Sequence, residues 1–164
     1  MKQLLIMRHA KSSWSDENLS DHDRPLNARG QNNAPRMGAF VAEQGCLPDL
    51  IISSTAQRAA MTAKLFVEGC GTAIPVRERR GLYHPSISDY NEAINQLSDP
   101  PNRIMVISHN PGSQEWVYQL TRDYETIPTA TIAVLAFEDS FEWSQIHQPG
   151  TAELLAIWRP KEVL

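Results

Sequence analysis

Residues 4–10 read LLIMRHA, four apolar side chains followed at once by Arg8 and His9. The run does not alternate, so it predicts a strand buried on both faces, the habit of a parallel sheet sandwiched between helices. The strand would reach the surface at Arg8-His9. An ionisable pair at that point is aimed at water, at a carboxylate or at a ligand. Three later stretches repeat the apolar pattern: PDLIISS (48–54), AIPVRE (73–78) and NRIMVISH (102–109). All four are read as buried strands.

Helical patterns separate them. The first spans Asn27 to Gln44, with a break expected near Asn33, where Asn33 caps and Pro35 opens the second piece; Gly45 would stop it. The second runs from Ser54 or Thr55 to Gly69, the third follows Pro85 with Ser88 as its cap, and the fourth begins at Pro111. TIAVLAF (131–137) and AELLAIW (152–158) then read as two strands joined by a polar, aromatic-bearing loop, hence an antiparallel pair at a sheet edge. The expected fold is α/β: a three-layer α/β/α sandwich, its central sheet mostly parallel with an antiparallel edge from the C-terminal strands.

A chain of 164 residues is read as a single domain, 1–164. Its net charge of −4 argues against nucleic acid or an anionic membrane as the main partner, so any anion site must be local. The apolar start ends at Arg8, too soon for a signal segment, and no stretch is long enough to span a membrane. Cys46 and Cys70 match no metal-ligand spacing and read as reduced thiols. A cytoplasmic location follows from these readings.

Three strand-to-helix junctions carry similar equipment. The first holds Arg8 and His9; the second, SSTAQR, puts Arg58 in the first turn of a helix; the fourth strand ends in SHNPG, with His109 just before a helix N-terminus. Ligands of open α/β sheets bind beyond the carboxyl ends of strands, where helix N-termini favour anions. Guanidinium forks match phosphate oxygens bidentately, so phosphate is the expected ligand. Ser53, Ser54 and Thr55 read as caps rather than nucleophiles, because no Gly-x-Ser-x-Gly elbow surrounds them. The long loop Ala10–Pro25 directly follows His9. Within it, adjacent residues of Asp21-His22-Asp23 would point in alternate directions, which disfavours a metal; Arg24 and Arg29 are expected to pair with those carboxylates or to form a basic rim. The four tryptophans do not interleave with a basic stripe, and His147 reads as solvated.

MRHAKS, SSTAQRAAMTA and ISHNPG, in that order at strand ends, resemble the three signature segments of the histidine phosphatase superfamily, with Arg8-His9-Ala10 in place of Arg-His-Gly. With DHDRPLNARG and no large insertion, the chain is most similar to the SixA-type phosphohistidine phosphatases. The resemblance implies that His9 is the nucleophile of a covalent phosphohistidine intermediate and that Arg8, Arg58, His109 and Asn110 bind the phosphoryl oxygens. Arginines and a cationic His109 would neutralise that charge, so no cofactor or metal is expected. Larger members carry a carboxylic acid after the third strand; here the comparable stretch is GLYHPS, with His84 at that place. His84 is therefore a candidate proton donor; Glu78, Asp16 and Asp21 are others that no motif places. The expected substrate is a phosphohistidine-bearing protein. The alternatives are a small-molecule phosphomonoesterase or mutase of the same fold, or a phosphoprotein-binding module, which would not need a nucleophile.

Overall fold

The computed structural model describes residues 1–164. The six strands are β1 (Gln3–Arg8), β2 (Leu50–Ser54), β3 (Val76–Arg79), β4 (Arg103–Ser108), β5 (Ile132–Phe137) and β6 (Ala152–Trp158), in one sheet of order β3-β2-β4-β1-β5-β6. The first four are parallel, while β5 pairs antiparallel with β1 and β6 antiparallel with β5. The helices are α1 (Ala28–Glu43), α2 (Gln57–Cys70), α3 (Ile87–Asn95), α4 (Gly112–Thr121) and α5 (Pro160–Val163).

Side-chain alternation along β1 builds the two halves of the core. Leu5 and Met7 join Met37, Val41 and Phe66 under α1 and α2, whereas Leu4 and Ile6 join Tyr90, Ile94, Trp116 and Leu120 under α3 and α4. Every side chain of the β1 apolar run is thus buried, as its uniform composition demands, and the three-layer architecture matches the expectation. Because α1 and α4 leave β1 and β4 on opposite faces, the carboxyl ends of these neighbouring strands flank a crevice. Register places Arg8 beside Ser108 there.

Four local expectations are corrected. Helix α1 is continuous through Pro35 and is capped by Asn27, whose side chain accepts the Gly30 N–H at 2.9 Å. Proline removes one backbone hydrogen bond; the helix persists because it is clamped on α2 by its bare glycine surface. A Cβ on Gly38 would stand 2.1 Å from the Phe66 carbonyl oxygen, and one on Gly69 would stand 1.9 Å from that of Pro35. Gly69 is therefore a close-contact residue inside α2 rather than its stop, which is Gly71 with φ 73°. Helix α3 is capped by Ser86 in a reciprocal pair with Asp89, not by Ser88. Strand β3 is an exposed edge strand rather than a buried one, and its Arg77 and Glu78 face solvent. Both cysteines are free and buried. No helix is long and apolar enough to cross a membrane.

Candidate active site

The carboxyl end of β1 is pinned from both sides. His9 N–H donates to the Ser108 carbonyl at 3.0 Å, and Ala130 N–H donates back to the carbonyls of Arg8 and His9. His9 is 6 % exposed. Its Nδ1 lies 2.7 Å from the Ala10 carbonyl oxygen, which only accepts, so Nδ1 carries the proton and Nε2 holds a free lone pair. Burial pulls the ring's pKa down to about 3; the Ala10 contact opposes this, while Arg58, Arg8 and Arg24 reinforce it. His9 is neutral at physiological pH.

His109, from the end of β4, has its ring centroid 5.1 Å from that of His9. Its Nε2 is 2.8 Å from Ser54 Oγ, which already accepts the Ala56 N–H at 3.1 Å. Nε2 is the only acceptor within reach of the Ser54 hydroxyl hydrogen, so we assign that hydrogen to Nε2 and the ring proton to Nδ1, a buried atom with no protein partner. Burial, followed by His9, Arg58 and His84, pulls the pKa of His109 down to about 2 against a weaker pull from Asp21. In the ligand-free protein His109 is a neutral hydrogen-bond donor, not the cation expected from sequence.

Arg58, in the first turn of α2, is 4 % exposed. Its Nη1 donates to the Asp21 carbonyl oxygen at 2.6 Å and its Nη2 to Asp21 Oδ2 at 3.0 Å. Thr62 ties the two junctions together, accepting the Ala10 N–H at 3.0 Å and donating to the Arg58 carbonyl at 2.7 Å. Arg8 donates from Nη1 to the Ile127 carbonyl at 3.3 Å, and burial and the nearby Arg58 lower its pKa. Arg8 Nε, Arg58 Nε and His109 Nδ1 are all buried donors without a protein partner. Such a surplus of donors over acceptors suits an oxyanion with many lone pairs.

Asp21 is the residue whose importance the sequence hid. It lies in the short 3₁₀ turn Asp21–Asp23 and accepts from Arg58, from Arg24 Nε at 3.2 Å and from the Tyr83 hydroxyl. The Tyr83 hydrogen bond, then Arg58 and Arg24, hold its carboxyl well below the usual carboxylate range against the opposing effect of burial. A group kept so firmly ionised braces Arg58 and carries no proton to donate in the ligand-free protein. The available signal was the three-residue spacing of Asp21 and Arg24. Arg24 additionally lies 3.5 Å from the ring centroid of the exposed Trp14. Of the two expectations for Arg24 and Arg29, Arg24 pairs with Asp21, whereas Arg29 makes no ion pair and stands exposed as part of a basic rim.

The remaining candidates sit further out. His84 has φ 54°, lies tilted against Tyr83 with centroids 4.0 Å apart and has a side chain 65 % exposed, at the rim 6.2 Å from the His109 ring. Asn110 turns its amide to the Ile127 carbonyl at 2.9 Å, the oxygen Arg8 also uses. Glu78 borders a cavity of about 820 Å³ over α1, α2 and β3, which none of the four clustered residues lines. Asp16 accepts the Asn18 N–H within its own loop. His147 is exposed. No three His, Cys, Asp or Glu side chains converge as metal ligands.

A family model described as histidine phosphatase superfamily, branch 1, matches residues 4–110. Among curated relatives, the chloroplastic protein At3g52155 of Arabidopsis thaliana is 33 % identical over 86 % of this chain and 69 % of its own length. Rv1276c of Mycobacterium tuberculosis is 31 % identical over 94 % of this chain and all of its own. A Nakamurella multipartitia structure proposed as the phosphohistidine phosphatase SixA superposes with a TM-score of 0.81 at 25 % identity, covering 97 % of this chain and 96 % of that one. The protein histidine phosphatase SixA complexed with tungstate shares the fold, with a TM-score of 0.82 at 19 % identity over 99 % of both chains. Bacterial 2,3-bisphosphoglycerate-dependent phosphoglycerate mutases match too, but the chain spans only 56–58 % of their length.

Proposed function

Since this chain belongs to the histidine phosphatase superfamily, branch 1, we propose that it is a phosphatase working through a covalent phosphohistidine on His9, and that its substrate is phosphohistidine in proteins. The observation that carries this reading is the His9 ring, neutral and oriented by the Ala10 carbonyl, with Nε2 unpartnered beside the free donors of Arg8, Arg58 and His109. Nε2 attacks phosphorus as the bond to the leaving group breaks. Water then attacks the phosphoryl group, His9 leaves as the free ring, and phosphate is released. The two guanidinium groups and the His109 Nδ1–H meet the negative charge on the equatorial oxygens, the main demand of phosphoryl transfer.

What supports this substrate class is the lack of a carboxylic acid donor in the cluster. Asp21 is ionised, Glu78 borders a separate cavity, Asp16 accepts the Asn18 N–H, and neither of these last two makes a hydrogen bond or ion pair to the cluster. An alkyl phosphate expels a strongly basic alkoxide that needs a donated proton. A phosphohistidine ring protonated by solvent leaves as neutral imidazole without one. The mutase matches favour a second reading, a small-molecule phosphomonoesterase, and one substrate panel separates the two. Assayed without added metal, kcat/KM on a phosphohistidine protein should exceed that on alkyl monoesters by at least about a hundredfold, the usual worth of general acid catalysis. The His9→Ala variant should be inactive on both, and acid-labile phosphate should be trapped on His9 of the wild type. Comparable rates on sugar phosphates, or an active His9→Ala variant, would overturn the proposal.

A further inference from the structure

Beside the cluster a second feature contradicts the chain's overall acidity. A groove of about 750 Å³ between α1 and the C-terminal segment is lined by Arg29, Arg36, Arg159 and Lys161, four of the fifteen lysines and arginines in a chain of net charge −4. Its only side-chain carboxylate is Glu162, and that is committed to Arg159 at 3.2 Å, as is Glu125 outside the groove at 2.9 Å. Arg29, Arg36 and Lys161 are exposed and make no ion pair or hydrogen bond within the protein. Solvent alone meets these charges in the free protein, which leaves them available to an anionic partner.

The groove adjoins the site on two sides. Pro128 and Thr129 wall it, directly continuing from Ile127, whose carbonyl holds Arg8 and Asn110. Arg29 precedes Gly30, at which α1 touches the Lys11 backbone so closely that a Cβ would stand 2.2 Å from its carbonyl oxygen. Lys11 is two residues beyond His9.

We propose that this groove docks an acidic segment of the phosphoprotein substrate, placing the phosphorylated residue over His9. The proposal rests on the phosphoprotein reading above. The spacing of the cations selects the occupant: Arg29 and Arg36 stand two helical turns apart, about 10 Å along α1, and Lys161 lies on another element, so no single phosphate group reaches all three. An extended polypeptide carrying several carboxylates does. Charges at such a rim act through encounter rate and salt dependence more than through tight contacts.

The test uses three labelled peptides of equal length, each with a central phosphohistidine flanked by Asp/Glu, by Gly/Ser or by Lys. The wild type should prefer the acidic flank to the neutral one by about tenfold in kcat/KM at low salt, and the preference should vanish at high salt. In an Arg36→Glu/Lys161→Glu variant, with rates normalised to its own turnover of p-nitrophenyl phosphate, the order should invert towards the Lys flank. Should that variant fold poorly, Arg36→Gln/Lys161→Gln should level the three rates. Equal rates across flanks in the wild type, or a preference unchanged in the variants, would overturn the docking groove. Fluorescence anisotropy with the unphosphorylated acidic peptide reads the groove independently. If this peptide binds the wild type and not the variant while no phosphohistidine peptide is cleaved, the groove stands and the phosphohistidine reading falls. If the phosphopeptides are cleaved but the acidic peptide binds wild type and variant alike, or neither, the groove falls alone.

Discussion

Lowering the pH from 7.5 to 5.5 should remove about 2.7 kcal/mol from the unfolding free energy of the ligand-free protein. His9 and His109 are buried and neutral, with pKa values pulled down to about 3 and about 2, against 6.5 for a free imidazole. Below pH 6.5 the unfolded chain therefore takes up two protons that the folded one refuses. The slope of stability against pH follows the difference in bound protons, unfolded minus folded, and is positive here. Stability is complete above about pH 7.5 and falls as the pH drops through the unfolded value. Each ring loses about 1.4 kcal/mol between pH 7.5 and 5.5. The result does not depend on how far below 5.5 the folded values lie. Asp21 is also depressed, but its contribution is lost only below the ordinary carboxylate range, outside this window. Urea unfolding at pH 7.5, 6.5 and 5.5 measures the effect, and a His9→Gln/His109→Gln variant should flatten the dependence. A wild-type change below about 1 kcal/mol, or an equal slope in the double variant, would refute the assignment of two buried neutral imidazoles.

Ser54→Ala removes the hydroxyl that sets the His109 tautomer, so kcat/KM on p-nitrophenyl phosphate should fall by about a hundredfold, with Ser54→Thr restoring part of it. Wild-type kcat/KM in Ser54→Ala would show that the tautomer does not matter. His84→Ala should change the phosphohistidine rate by less than about threefold, because a rim group that is not the acid forgoes none of the 10²–10⁴-fold typical of acid catalysis. A collapse on alkyl phosphates in that variant would instead identify His84 as the donor. Gly69→Ala must push α2 off Pro35 and should cost about 3 kcal/mol, lowering the melting temperature by roughly 9 °C; an unchanged melting curve would mean the helix contact is looser than described.

The alternation of apolar runs and helical patterns, read without any structure, determined the strands, the mostly parallel sheet and the antiparallel C-terminal edge. It also put Arg8, His9, Arg58 and His109 at strand-to-helix junctions, because strand and helix periods are local properties of the chain and such junctions meet at one edge of a parallel sheet. Contacts between distant segments were not legible. Gly69 and Pro35, 34 positions apart, meet across the α1–α2 crossing, and that contact keeps α1 whole where Pro35 alone predicts a break. The exposure of β3 suits its place at the sheet edge, and its Val-Arg-Glu-Arg sequence after Pro75 already carried that signal, which the reading as a buried strand passed over. Asp21 acquired its role from Arg58 and Tyr83, 37 and 62 residues away. The charge state of His109 was equally hidden: burial sets it, and only the packed structure brings Ser54 to one nitrogen while leaving the other free. Residue type and spacing fix which groups reach a site; desolvation and long-range partners fix their protonation and orientation, and these exist only once the chain has closed around them.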